Sequence, residues 1–149
     1  MNIPGVGNRS IRLLLVDDQP AVQRGLKMRF TLEPDLEVVG EAGGVAEAIS
    51  LARALRPDVV LLDVEVQSTD GISDIAALRQ AAPHSVVVIF TLYDDAATRA
   101  RAREVGAAAF VAKHQTEATL LTAIRRVAMA HSEQTRHDGT VEQHGRGGA

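Results

Sequence analysis

Five short stretches of this chain, 11–16, 36–40, 58–62, 85–90 and 108–111, are almost continuously apolar and rich in Val, Ile and Leu. A strand with one face in water alternates polar and apolar side chains, whereas a strand covered on both faces does not. The runs therefore predict a parallel sheet sandwiched between helices. The intervening segments carry helical spacing. Val22, Leu26 and Phe30 recur behind Pro20, a residue suited to a first helical turn. Val45, Ile49 and Ala52 repeat the pattern, as do Ile72, Ile75 and Leu78, and then Leu120, Ile124 and Val127. The segment 96–105 is Ala-rich and weakly amphipathic, and Gly106 behind it reads as a helix stop.

Five β–α units in series predict an α/β fold with a five-stranded parallel sheet, doubly wound in flavodoxin-like order 2-1-3-4-5. The length, 149 residues, suits one domain. Residues 1–9 are expected to be a flexible N-terminus and 10–131 the folded unit. Residues 132–149 hold one large aliphatic side chain, Val141, and are expected to form a disordered tail.

Composition removes several function classes. There is no cysteine, which excludes disulfides, thiolate metal sites and cysteine nucleophiles. Aromatic residues make up 3% and the net charge is -3, which argues against stacking or basic surfaces for nucleic acid. No apolar run reaches the roughly 18 residues of a membrane span. The first ten residues lack the apolar core of a secretory leader, so the cytoplasm is the expected compartment.

Ligands of open parallel sheets bind at the carboxyl ends of the strands. Here those ends carry Asp17 and Asp18 after the first run, Asp63 after the third, Thr91 after the fourth and Lys113 just past the fifth. Close carboxylates repel, so they must take up protons or share a cation. An all-oxygen set suits a hard dication such as Mg²⁺, which takes one or two carboxylates together with water and phosphate oxygens. A neutralised site lets one carboxylate attack a phosphoryl group, with Lys113 as a point cation and Thr91 as a hydrogen-bond donor. Each residue also has a plainer reading. Asp17-Asp18 ahead of Pro20 could simply cap a helix. Thr91 is a good strand residue and Lys113 a solvated strand end. Asp63 resists such a reading, because it follows Val59-Val60-Leu61-Leu62, where a charge is costly unless paired or bound.

The segments 13–18 (LLLVDD) and 56–64 (RPDVVLLDV), with Asp70-Gly71, Thr91 and Lys113, resemble the receiver domain of bacterial response regulators over about residues 10–131. VDDQP, the GEA at 40–42 and a lysine not followed by proline are most similar to the nitrate-response subfamily. The resemblance implies that Asp63 accepts a phosphoryl group from a sensor histidine kinase or a histidine phosphotransfer protein. It implies Mg²⁺ held by Asp18, Asp63 and the backbone carbonyl of Glu65, with Asp17 assisting through water. Thr91 and Lys113 would bind the phosphoryl group, and Phe110 would occupy an aromatic switch position coupled to Thr91. The 94–130 face would then change its affinity for a downstream protein or for a second copy of the chain.

Three departures from the family pattern stand out. Val66-Gln67 replaces a common Met-Pro, Leu92 replaces a smaller residue beside Thr91, and His114 replaces a proline, so the 113–114 peptide is expected to be trans. Only 18 residues follow His131, too few for the helix-turn-helix domain that nitrate-response relatives carry. The expectation is a single-domain regulator without direct DNA binding or enzymatic turnover of an external substrate. The alternatives are a truncated transcriptional regulator and a receiver-like docking module that is never phosphorylated. A further alternative is a Mg²⁺-dependent phosphatase using an aspartyl-phosphate, but one similar to the haloacid-dehalogenase family would carry Asp, not Glu65, two residues beyond its nucleophile. Gly5-Val6-Gly7 precedes the first strand and is no dinucleotide motif. Gly40, Gly43 and Gly44 read as turn glycines. The histidines show no ligand spacing, and Arg99, Arg101, Arg103, Arg125 and Arg126 make the last two helices basic.

Overall fold

The computed structural model describes the backbone of residues 9–63, 71–92 and 95–147, and side chains as far as residue 133, those of 71 and 72 excepted. Its elements alternate without exception: β1 (Ile11–Val16), α1 (Pro20–Thr31), β2 (Leu36–Ala42), α2 (Val45–Leu55), β3 (Val59–Leu62), α3 (Gly71–Ala81), β4 (Val86–Thr91), α4 (Ala96–Glu104), β5 (Ala109–Ala112) and α5 (Glu117–Gly147). The strands are parallel in order β2-β1-β3-β4-β5, as the apolar runs predict.

Successive strand residues point to opposite faces, which divides the core in two. Leu14, Val16, Val60, Leu62, Val87 and Ile89 meet Ala48 and Ala52 of α2, Ile75 and Leu78 of α3 and Ala102 of α4. Leu13, Leu15, Val59, Leu61, Val88 and Val111 meet Phe30 of α1 and Leu120, Leu121 and Ile124 of α5. Small alanines line much of the first layer, while Phe30 is the largest fully buried side chain of the second. Burying a side chain of the size of Phe30 or Ile124 contributes about 1.5–3 kcal/mol.

The backbone explains several glycines. Gly106 has φ +101°, and the Arg79 guanidinium of α3 lies where a Cβ would project. The helix-stop reading holds there, because only glycine enters that region without strain. Gly40 is different from the turn residue expected. It lies inside β2 opposite Leu14, where the register shifts between Leu13 and Leu14. A Cβ on Gly40 would come within 2.9 Å of Leu55 Cδ1 and 3.2 Å of Leu14 Cδ1. Close packing of α2, not a turn, requires glycine at that position. Gly43 and Gly44 do lie in the β2–α2 connection.

All peptide bonds among the described residues are trans, the 113–114 bond included. The α5 backbone is helical through the 132–147 stretch that the sequence assigns to a tail. An established helix adds residues cheaply, and no proline interrupts this stretch. Among the described residues no helix is long and apolar enough to cross a membrane.

Candidate functional site

β1 and β3 are neighbours, so their carboxyl ends lie side by side. The ladder continues one residue beyond each strand: Asp17 N–H donates to Ala42 O (3.0 Å) and Asp63 N–H to Val16 O (3.0 Å). On the other side of β3, Lys113 N–H donates to Thr91 O at 2.6 Å. These backbone bonds fix the roots of Asp17, Asp63 and Lys113 to the rigid sheet. Their side chains then converge. Lys113 Nζ donates to Asp63 Oδ2 at 2.7 Å and lies 3.8 Å from Asp17 Oδ2. The three side chains are 13%, 4% and 2% exposed respectively. A charge cluster this secluded is weakly screened, so its internal balance matters.

That balance is short of positive charge. One ammonium faces two carboxylates. Asp17 Oδ1 accepts the Gln19 N–H at 2.8 Å, whereas the buried Oδ2 meets no donor within hydrogen-bonding distance among the described residues. Burial pushes the Asp17 carboxyl up to about 6, and the adjoining Asp63 carboxylate pushes the same way, against the Gln19 N–H and the Lys113 ammonium. A buried oxygen lacking a donor beside a second carboxylate is what a hard dication would satisfy. Among the described residues no three acidic or imidazole side chains close around one point. Mg²⁺ does not need three, since it keeps several waters. The residues present therefore fit such an ion.

Asp18 is exposed at the rim of the cluster. Thr91, at the end of β4, is 1% exposed, and Phe110 is half-buried on β5, opposite Ile89. The guanidinium of Arg99 stands 4.8 Å from the Phe110 ring centroid. Leu92 is 62% exposed. Glu65, Tyr93 and Asp94 lie outside the described residues. The helix-cap reading of the acidic pair does not match α1, whose cap position is Gln19 without a side-chain cap bond.

Sequence reasoning missed three supporting residues. Gln23 Nε2 donates to Asp17 O (2.7 Å) and to Ala42 O (2.6 Å), tying α1 to the ends of β1 and β2. Gln115 Oε1 accepts the Ala112 N–H at 2.8 Å and so shapes the turn after Lys113. Phe90 lies 5.6 Å beneath Lys113 Nζ, a cation–π contact. Gln23, one residue past Val22 on the predicted helix, was the legible one of the three, because it sits on the turn nearest the acidic pair.

The sequence pattern described as Response regulator receiver domain matches residues 13–125. The chain belongs to that family. This receiver domain is 35% identical over 114 residues to the nitrate/nitrite response regulator protein NarP of Escherichia coli (strain K12), covering 76% of this chain and 53% of that protein. It is 43% identical over 81 residues to protein-glutamate methylesterase/protein-glutamine glutaminase 3 of Myxococcus xanthus, covering 54% of this chain and 23% of that enzyme. Among solved structures, the signal receiver domain of the putative response regulator NarL from Mycobacterium tuberculosis superposes with a TM-score of 0.74 at 31% identity, covering 81% of this chain and 98% of that one. The chain spans about half the length of NarP, and the enzyme match reaches less than a quarter of the esterase. What those whole proteins do beyond the receiver part remains theirs. The resemblance to nitrate-response regulators and the receiver fold both stand.

Proposed function

We propose that this receiver domain accepts a phosphoryl group on Asp63 in a Mg²⁺-dependent reaction and thereby switches a partner-binding surface. The observation that carries the reading is the Lys113–Asp63 contact of 2.7 Å, at a strand end where Asp17 is also buried. Asp18, Asp63 and the backbone carbonyl of Glu65 would hold the ion, with Asp17 acting through water. Bound Mg²⁺ supplies charge that offsets the phosphoryl oxygens. The chain's own groups do the rest. An Asp63 carboxylate oxygen forms the new O–P bond as the N–P bond of a phosphohistidine breaks, and the electron pair returns to the imidazole of the donor kinase or phosphotransfer protein. Lys113 transfers its hydrogen bond from Asp63 to a phosphoryl oxygen, and the Thr91 hydroxyl donates to another. Movement of Thr91 is passed to Phe110 and so to the 94–130 face, where a downstream protein or a second copy docks.

On this reading the chain works in the cytoplasm, catalyses only its own phosphorylation and dephosphorylation, and does not itself contact DNA. Acetyl phosphate with Mg²⁺ should add one phosphoryl group, read by intact-protein mass spectrometry, and Asp63→Asn should abolish the addition. A wild-type protein that stays unlabelled with Mg²⁺ present overturns the proposal.

A further inference from the structure

The opposite end of the sheet carries a second charged concavity. It is a cleft of about 700 Å³ at the amino end of the strands, separate from a smaller one of about 370 Å³ on the helical face that Phe110 borders. The larger one is bordered by Arg9, Arg12, Arg56, Asp58, His84 and His131. Arg12 belongs to β1, Asp58 immediately precedes β3, and His84 precedes β4. Asp58 and Asp63 flank the same strand, so about 16 Å of β3 separates this cleft from the acidic cluster. Neither site can share a ligand with the other.

Its chemistry is the reverse of the acidic end. Three guanidiniums face one carboxylate, in a chain whose net charge is -3. The carboxylate is already committed, since Asp58 Oδ1 takes Arg9 Nη2 at 2.6 Å and Oδ2 takes the Arg12 N–H at 2.9 Å. Arg12 Nη1 donates to Leu55 O (2.7 Å) and Arg56 O (3.0 Å), which pins its guanidinium at the end of α2. Arg56 itself is exposed and makes no ion pair among the described residues. His131 Nε2 is 2.7 Å from His84 O. Among the described residues the buried His84 Nε2 meets no partner. Burial depresses the His84 pKa, and the nearby Arg56 guanidinium adds to this. A buried ring nitrogen without a partner, beside an uncommitted guanidinium, leaves this end of the sheet short of an acceptor for the guanidinium, and the Nε2–H tautomer of the neutral ring would add a second donor.

We infer that this cleft binds a small molecule bearing a phosphate-type dianion, held by Arg56, Arg12 and His84. The volume lies within the range of small-ligand sites and admits a mononucleotide. The planar guanidinium forks match phosphate oxygens. The site is independent of phosphoryl acceptance at Asp63.

The test is an NMR titration of the ¹⁵N-labelled full chain in Mg²⁺-free buffer, with inorganic pyrophosphate in one arm and adenosine 5′-monophosphate in the other. Saturable shifts are expected at Arg12, Arg56, Asp58, His84 and His131, with none at Asp63, Thr91 or Lys113. Arg56 has φ 52°, so Arg56→Gly removes the side chain while tolerating that backbone. It should weaken binding about tenfold or more, while Arg56→Lys retains part and Asp63→Asn leaves it unchanged. Tighter binding of the nucleotide than of pyrophosphate identifies an organic phosphate as the ligand, and the reverse identifies the free anion. Absence of saturable shifts in both arms, or shifts that survive Arg56→Gly undiminished, overturns the inference.

Discussion

Lys113→Met isolates the electrostatics of the acidic cluster. Methionine keeps an unbranched stem of similar length over Phe90 and removes only the ammonium. In the wild type that ammonium stands 2.7 Å from Asp63 and 3.8 Å from Asp17, with all three side chains at most 13% exposed. Removing one partner of a buried pair typically destabilises by about 3–5 kcal/mol, because the remaining charge is stranded. Here the stranded carboxylates can take up a proton, which reduces the expected loss to about 2–4 kcal/mol. For a domain of this size that corresponds to a fall in melting temperature of about 6–12 °C. Urea unfolding followed by far-ultraviolet circular dichroism is the suitable assay, since the chain has no Trp and a single Tyr. Measurements belong in Mg²⁺-free buffer at pH 7.5. The second arm adds Asp63→Asn to Lys113→Met, which removes the repulsion between carboxylates and should recover about 1–2 kcal/mol. A Lys113→Met protein within about 0.5 kcal/mol of wild type refutes the reasoning. So does a double variant less stable than Lys113→Met alone.

Three further outcomes follow from the packing and charges. Ile124→Ala, at 0% exposure between α5 and the sheet, should lower stability by about 2–4 kcal/mol in the same urea assay. Gly40→Val should destabilise by about 1–3 kcal/mol, because its Cβ meets Leu55 Cδ1 at 2.9 Å, whereas Gly44→Ala, with open space around it, should be mild. The Arg125 guanidinium, bonded to Asp35 at 2.8 and 2.9 Å, holds that carboxyl below its ordinary range. A depressed folded pKa adds stability above the unfolded value near 4 and loses it as pH falls through the folded value. Asp35→Asn should therefore lower the melting temperature at pH 7, an effect that fades as acidification protonates the folded-state carboxyl, with a ceiling of about 1 kcal/mol because the pair is half-exposed.

The sheet was legible because its signal is local. Val59-Val60-Leu61-Leu62 has no polar residue for water, so it announced a doubly covered strand before any partner was known. Strand order and the gathering of Asp17, Asp63 and Lys113 at one edge followed from topology. The pair contact itself was beyond periodicity, since Lys113 and Asp63 are 50 residues apart and meet only through the register of β3, β4 and β5. Gly40 was misread because a glycine between polar and apolar neighbours looks like a turn. What demands it is the methyl groups of Leu55 and Leu14, one of them on a helix later in the chain. Gln23 had a legible place next to the acidic pair, but its contacts did not, as its acceptors are carbonyls at the ends of two separate chain segments, Asp17 and Ala42. The basic cleft was invisible for the same cause: Arg12, Arg56 and His84 are scattered along the sequence, and each alone is an ordinary surface residue.

The register shift in β2 has a consequence for assembly. β2 is an outermost strand, and such edges invite backbone pairing from other chains. Here the shift near Gly40 interrupts the even spacing that a foreign strand would need, and Glu37 and Glu41 place negative charge along the same strand. Two copies meeting edge to edge would bring like charges together across a broken ladder. The fold thereby discourages indefinite growth of its sheet through the β2 edge.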